Sequence, residues 1–325
     1  MAYLLLNGSV EPHKGGKAVE IRWYLKALMQ RSLSLMPHGC ALNFLLQKRF
    51  GELKEITVAD KLEEIKKTFI APVLDRKGTM TDIGVVEIGT GWVPILPIAL
   101  SLLGARCKTF DIAEHLKTEV VAGTLIEMQR HLAIFAGTPG FSLRDARRKL
   151  EKALKGSNVK DIMKILGVYY LAPTDTTCLP IASNSQDVTM SRLVLSHIPL
   201  DVLPIVLREL YRITKQGGLS IHRVNLHDEY ATCDPKVTLI NFLKYPGWFW
   251  DGFVNNRIKY LNRARYPYYL ALFERTGFRI VYLDKTLDKH SYNALPDMRI
   301  AREFRGYSRE ELATIGFTVV LEKPK

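Results

Sequence analysis

The sequence is poor in cysteine. Cys40, Cys107, Cys178 and Cys233 are scattered over 325 residues without a Cys-x-x-Cys pair. Such spacings suit neither a zinc site nor a disulfide framework, and they point to a reducing, cytoplasmic compartment. Long apolar runs are missing as well: none approaches the ~18 residues expected of a spanning helix. The opening MAYLLLNGSVEPHK has an apolar run but no positive region ahead of it, so it is not read as a signal peptide. Contact with a membrane surface stays open. Acidic residues are outnumbered, 33 against 46 basic, for a net charge of +13. That balance favours anionic partners such as phosphorylated or carboxylated substrates, nucleic acid or an anionic membrane, and it equally suits a soluble enzyme whose charge only aids solubility. Internal repeats and low-complexity tracts are absent. A hydrophobic content of 47% excludes a disordered chain and supports one large domain with additions, or two small ones.

What is present centres on Val85 to Asp111, VVEIGTGWVPILPIALSLLGARCKTFD. A short apolar run holding Glu87 is broken by Gly89-Thr90-Gly91. Ile95, Leu96, Ile98, Ala99, Leu102 and Leu103 then recur at helical spacing, Gly104 ends the helix, and Cys107 to Phe110 forms a strand closed by Asp111. This is half of a nucleotide-binding crossover, in which glycines let backbone approach a ligand at a helix N-terminus. A dinucleotide fold asks for a small third residue in G-x-G-x-x-G/A, and Pro94 stands there instead. The run Glu87-Ile88-Gly89-Thr90-Gly91 resembles the first motif of class I S-adenosylmethionine (SAM) methyltransferases, with Val93 where many members have a third glycine.

Before this stretch, Lys17 to Met36 reads as an amphipathic helix with Ile21, Leu25, Leu28 and Leu35 on one face and Arg22, Lys26 and Gln30 on another. A second helix is expected over Val58 to Phe69, capped by Thr57 with Asp60. After it, Asp111 to Val168 is long enough for several helices, one over Val120 to Phe135 and one opened by Ser142-Leu143-Arg144-Asp145. Arg144, Arg148, Lys152 and Lys155 line up on the latter, favouring a solvated face over an anion-facing one. Strands follow at Val168 to Leu171 and Asp187 to Ser191. Then comes a helix over Val202 to Lys215, with Leu203, Val206, Leu207, Leu210 and Ile213 as its apolar face, Asp201 as cap and Gly217-Gly218 as stop. A fifth strand spans Leu219 to Val224. Arg279 to Leu283 and Phe317 to Leu321 suit a closing antiparallel hairpin.

Taken in order from Val85 to Val224, the chain resembles class I SAM-dependent methyltransferases, particularly the small-molecule group that includes quinone-biosynthesis-like members. The resemblance implies an α/β fold: a doubly wound, Rossmann-like, seven-stranded sheet with strands 6 and 7 as the closing hairpin. The expected organisation is a helical N-terminal cap segment (1–79), a SAM-binding core (80–224) with a helical insertion (112–167), a lid or substrate insertion (225–276) and C-terminal strands completing the sheet (277–325). It further implies SAM as cofactor and S-adenosylhomocysteine as product. Gly89, Thr90 and Gly91 would receive the amino acid end, with Glu87 contacting that end or bracing the loop. Asp111 would accept the ribose hydroxyls, with Ile112 beside it, unless it caps the following helix. Asp175 would meet the adenine amino group beside Thr176, against an Asx-turn as the plain alternative. Ser191 and Arg192 would complete the set from the end of the fourth strand. Trp92 is expected in the core.

Methyl transfer needs a base only for an unactivated hydroxyl or a protonated amine. His197 is the best placed of His197, His222, His227 and Asp228, against an equally weighted structural role. The fourth strand lacks the Asn/Asp-Pro-Pro-aromatic motif of exocyclic amine methyltransferases, and no Pro-Cys pair supplies a nucleophile for pyrimidine C5. O- or N-methylation of a small or medium-sized acceptor is therefore favoured. The aromatic, arginine-rich insertion suggests one that is anionic or aromatic, such as a saccharide or a lipid-linked intermediate. The alternatives are an RNA-binding protein or RNA methyltransferase using Arg144 to Lys155 and Arg257 to Tyr269, a nicotinamide oxidoreductase, against which Pro94 and the lack of Tyr-x-x-x-Lys argue, and a noncatalytic scaffold. No metal is expected.

Overall fold

The computed structural model describes residues 21–50 and 58–325. The chain enters with two helices, α1 (Trp23–Leu35) and α2 (Gly39–Phe50). A near-continuous helix follows, α3 (Ala59–Ile65) and α4 (Ala71–Lys77) joined through a π turn at Lys66–Ile70. Val58 stands at its N-cap without a side-chain bond, and the expected cap Thr57 lies outside the described residues. The crossover read from the sequence is then built as β1 (Gly84–Ile88), α5 (Ile95–Leu102) and β2 (Arg106–Phe110). Its connection to β3 (Val168–Leu171) holds α6 (Thr118–His131), α7 (Leu143–Ala153) and α8 (Val159–Ile165). Ser142 caps α7 by accepting from the Asp145 amide, and Asn158 caps α8 in the same way.

β4 (Gln186–Arg192), α9 (Leu203–Ile213) and β5 (Thr214–Asn225) complete the parallel part of the sheet. The predicted apolar face of α9 is buried as expected. Two details differ. Asp201 makes no cap, since Val202 holds that position with no side-chain bond and Pro204 sits in the first turn. Gly217 and Gly218 do not end the helix either. It stops at Ile213, and the glycines form an irregular start to β5, where the pairing with β4 shifts register between Gln186 and Val188.

Past β5 the chain makes short turns, including α10 (Gly247–Phe249) running into a π turn at Trp250–Val254, before α11 (Tyr266–Thr276). The hairpin strands are β6 (Arg279–Leu287) and β7 (Thr314–Glu322), separated by α12 (Lys289–Ala294) and α13 (Arg309–Ala313). The seven strands order as β3-β2-β1-β4-β5-β7-β6. β1 to β5 are parallel and β7 runs antiparallel to both its neighbours.

The pleat assigns alternate residues to two cores. Val85, Val188 and Met190 face a cluster with α3 to α8, while Val86, Ile88 and Phe110 face one with α9 and α11. A third core was not foreseen. It gathers Trp23 and Ala27 of α1, Tyr230, Phe242 and Trp250 of the 225–276 insertion, and Leu295, Phe304 and Leu312 from between β6 and β7. Seating α1 on this core overturns its expected apolar face and buries Gln30 of the expected polar one, while Arg22 stays exposed. Trp23, Ala27, Gln30, Leu33 and Ser34 are buried, whereas Leu25, Leu28 and Leu35 are exposed.

Candidate cofactor site

In an open α/β sheet, ligands settle outside the carboxyl ends of the strands where the winding reverses. Here that place is between β1 and β4. Gly89 leaves β1 with φ +76°, its N–H donating to the Phe110 carbonyl at 2.7 Å. A Cβ at Gly89 would lie 2.3 Å from Val194 Cγ2, so only glycine lets the loop after β4 close on this turn. Gly91 (φ +65°) differs: a Cβ there would meet nothing within 4 Å. Bare backbone borders open space at Gly91, and its N–H donates to Asp111 Oδ2 at 2.8 Å. The turn and the acid at the end of β2 thus share one crevice.

Asp111 is buried. Its Oδ1 lies 3.4 Å from the Ala113 amide and 3.6 Å from His115 Nε2. The Thr174 N–H donates to its carbonyl at 2.8 Å, drawing the loop after β3 alongside. Ile112 next to it is 76% exposed, an apolar side chain on the crevice with little of it covered by protein. Glu87 lies behind the turn. It accepts from Thr109 Oγ1 at 2.7 Å, and that hydroxyl is 2.5 Å from Thr90 Oγ1. Burial pushes the Glu87 carboxyl up to about 8 against the pull of the Thr109 hydroxyl.

The remaining expected residues are placed less simply. Asp175 is exposed and accepts from both the amide and the hydroxyl of Thr177, at 2.8 and 2.7 Å, which holds its carboxyl below the ordinary range. This is the Asx-type turn weighed as the alternative, with half-buried Thr176 inside it. Ser191 is not brought to the crevice. It is buried in the sheet with Oγ 2.7 Å from His222 Nδ1, and His222 Nε2 reaches Ser220 Oγ at 2.8 Å. Burial drops His222 to about 3, so it is a neutral spacer between two serines. Arg192 is committed elsewhere too, its guanidinium gripping both oxygens of Glu64 at 3.0 and 3.2 Å and tying α3 to the end of β4.

His197 does not have the geometry of a free base. Nδ1 is 2.8 Å from the Tyr260 carbonyl, which can only accept, so Nδ1 carries a proton. Nε2 is 3.2 Å from Glu229 Oε1 and favours a second proton there. Burial alone would lower the imidazole, but the Glu229 carboxylate and the Tyr260 carbonyl outweigh it and raise its pKa. Glu229 also takes Lys259 and the Asn225 amide at 3.1 Å. Burial pushes Glu229 up, yet Lys259 and His197 hold it well below the usual carboxylate range.

Other predicted features turn inward. The cations from Arg257 on are largely consumed: Arg257 on the Ser34 carbonyl, Arg263 on those of Phe242 and Tyr245, and fully buried Arg265 on those of Leu226 and Leu312. Arg144, Arg148, Lys152 and Lys155 form the solvated face expected of them. Three contributors went unread in the sequence. Phe44 of α2 stacks on Trp92 of the glycine turn at 4.9 Å, His115 packs on Trp92 at 5.0 Å, and Glu64 holds Arg192. Trp92, expected in the core, is half-buried between Phe44 of α2 and His115. Among the described residues no cluster of His, Cys, Asp and Glu is arranged for a metal.

Residues 145–222 match a family model described as a methyltransferase domain. The match runs from α7 into β5, over a sheet with the order and closing hairpin implied by the sequence motifs. Over those residues the chain is similar to a methyltransferase domain, as the resemblance of its motifs implied. The match does not include the glycine turn or Asp111, so their pairing in space is independent of it. A search of curated proteins returns no match. Similar solved structures include a SAM-dependent methyltransferase of Methanosarcina mazei, at 13% identity over 75% of this chain and 93% of that one, with a TM-score of 0.44. Another is magnesium protoporphyrin IX methyltransferase of Synechocystis PCC 6803 with bound S-adenosylhomocysteine, at 13% identity over 81% and 83%, with a TM-score of 0.40.

Proposed function

We propose that this methyltransferase domain holds SAM in the crevice at the ends of β1, β2 and β4 and directs its methyl group to an oxygen or nitrogen of a small or medium-sized anionic acceptor. The observation that carries the cofactor site is the Gly91 N–H to Asp111 Oδ2 hydrogen bond at 2.8 Å. It puts bare backbone and a buried acid side by side, the pairing needed for an amino acid end and a ribose diol. The residues fit such a guest. Gly91 presents bare backbone to open space, where a Cβ would meet no protein atom within 4 Å but would stand where a guest approaches the N–H. Each Asp111 oxygen has a second lone pair to offer a hydroxyl. Ile112 offers an apolar face for a planar base, and the Asp175–Thr176 turn forms the rim. Glu87 backs the turn where an ammonium would sit.

When bound, SAM supplies an electrophilic methyl on a sulfonium that is already a good leaving group. The chain's own task is then alignment and exclusion of water. The cap helices serve this, because Phe44 closes over Trp92 at the turn. His197 and Lys259 share the carboxylate of Glu229, and the neighbouring Asp228 carboxyl is pushed up to about 6 by burial, so two cations stand beside these acids at the ends of β4 and β5. We assign His197 an electrostatic role toward an anionic acceptor in place of proton abstraction. Isothermal titration with SAM and S-adenosylhomocysteine tests the cofactor half of the reading. Transfer of labelled methyl from SAM into a cell extract tests the other half: the label should appear in material retained on an anion exchanger, and label confined to neutral or cationic material overturns the acceptor class.

A further inference from the structure

The outward face of α1 is apolar along its whole length. Tyr24, Leu25, Leu28, Met29, Leu35 and Met36 are exposed, Leu28 by 63% and Leu35 by 72%, with Ser32 the one polar residue among them. Leu42 and Leu45 of α2 are exposed as well. Trp248 (72%) and Phe253 (61%) stand out from the turns that α1 packs against. They join α1 through a relay of ring contacts from Trp23 to Tyr245, Phe249 and Phe253. A scattered exposed leucine is ordinary, but an apolar row along a whole helix face, with two more exposed aromatics on the segment that carries its buried side, marks an interaction surface.

The patch is held firmly. Trp23 stacks in the third core, its amide donates to Asp234 Oδ2 at 3.1 Å, Arg31 donates to the Asn255 carbonyl at 2.8 Å, and Arg257 donates to the Ser34 carbonyl. The buried side of α1 is therefore fixed, and its leucines cannot turn inward without breaking these bonds.

Charge identifies the occupant. Residues 21–50 contain Arg22, Lys26, Arg31, Lys48 and Arg49 and no aspartate or glutamate. Arg22 and Lys48 each reach an acid on another segment, Asp234 and Glu119, and the Trp248–Phe253 turn adds Asp251, so the proposed surface carries five cations and one acid of its own on a chain of net charge +13. A second copy brought face to face would set like charge against like charge. An anionic bilayer offers the opposite sign together with an apolar layer beneath it. Trp248 and Tyr24, each with an apolar ring and a polar tip, suit the boundary between the two.

We infer that α1, α2 and the Trp248–Phe253 turn form a docking surface for an anionic lipid membrane, with the α1 leucines entering the interface. No described helix is long and apolar enough to cross a membrane, so the contact is peripheral. The test is co-sedimentation of the full chain with phosphatidylcholine vesicles, with and without phosphatidylglycerol. Wild type should bind the mixed vesicles and bind the zwitterionic ones weakly. The triple variant Leu25→Ser, Leu28→Ser, Leu35→Ser and, separately, the double variant Trp248→Ala, Phe253→Ala should each bind at least about tenfold more weakly. Both should melt as wild type does and keep their SAM affinity, which separates this outcome from failure of the cofactor site. The inference is overturned if wild type stays in the supernatant, or if both variants bind like wild type and salt alone removes them. It is also overturned if wild type is a dimer that the leucine variant dissolves.

Discussion

Glu87 carries a proton in the folded chain at neutral pH, because burial raises its carboxyl to about 8. A folded value above the unfolded one, about 4.3, means that its contribution to stability is full below the unfolded pKa and is lost as pH rises toward 8. Glu87→Gln should therefore gain melting temperature relative to wild type between pH 5 and pH 9, and an equal difference at both ends contradicts the assignment. An ammonium docked beside Glu87 favours its ionised form, so SAM binding near pH 7 should release a proton. Titrations in two buffers of different ionisation enthalpy should then give different heats. The two glycines of the turn make a contrasting pair. Gly89→Ala places its methyl against Val194 and should cost more than the ~1 kcal/mol usual for alanine at positive φ. Gly91→Ala has open space, so it should cost only about that penalty while SAM affinity collapses. Equal effects of the two on melting and on affinity would show that Gly91 does not border the cofactor.

Local order in sequence explains which parts of the fold were legible. The β1 turn, α5, β2 and Asp111 sit within one short crossover, so spacing alone set them beside one another. The α7 cap and the α9 face were readable for the same reason. Helix α1 was not. Its apolar residues lie on both sides, and periodicity cannot say which side will be covered by an aromatic core drawn from residues about two hundred positions away. His222 likewise gives no sign in sequence that it will bridge Ser191 and Ser220, nor Arg192 that it will grip Glu64 from α3, because these partners meet only through the register of the sheet and the path of the cap. The cluster joining the loops after β4 and β5 has the same long-range origin, and it predicts a pH signature. His197 is raised, so its stabilising effect is full below about 6.5, its unfolded value, and is lost as pH rises through the higher folded value. Glu229 is depressed, so its effect is present above the unfolded carboxylate range and lost as pH falls through the folded value. His197→Gln should consequently lose more melting temperature at pH 6 than at pH 9, and a loss that is larger at pH 9 would reverse the assigned charge.

The molecule as a whole is a seven-stranded sheet whose crevice at the Gly91–Asp111 pair is bordered on one side by α2, through Phe44 on Trp92, and flanked by an insertion that shares a core with α1. Everything proposed for its chemistry depends on SAM entering beside Gly91 and Asp111. Isothermal titration of the full chain with SAM, repeated with Asp111→Ala, addresses this most directly. Saturable binding of one SAM per chain is expected. The variant should melt near wild type and bind at least about tenfold more weakly, as loss of hydrogen bonds to a charged group worth about 1.5–3 kcal/mol each requires. A folded wild-type protein that takes up neither SAM nor S-adenosylhomocysteine, or an Asp111→Ala variant with undiminished affinity, would contradict it.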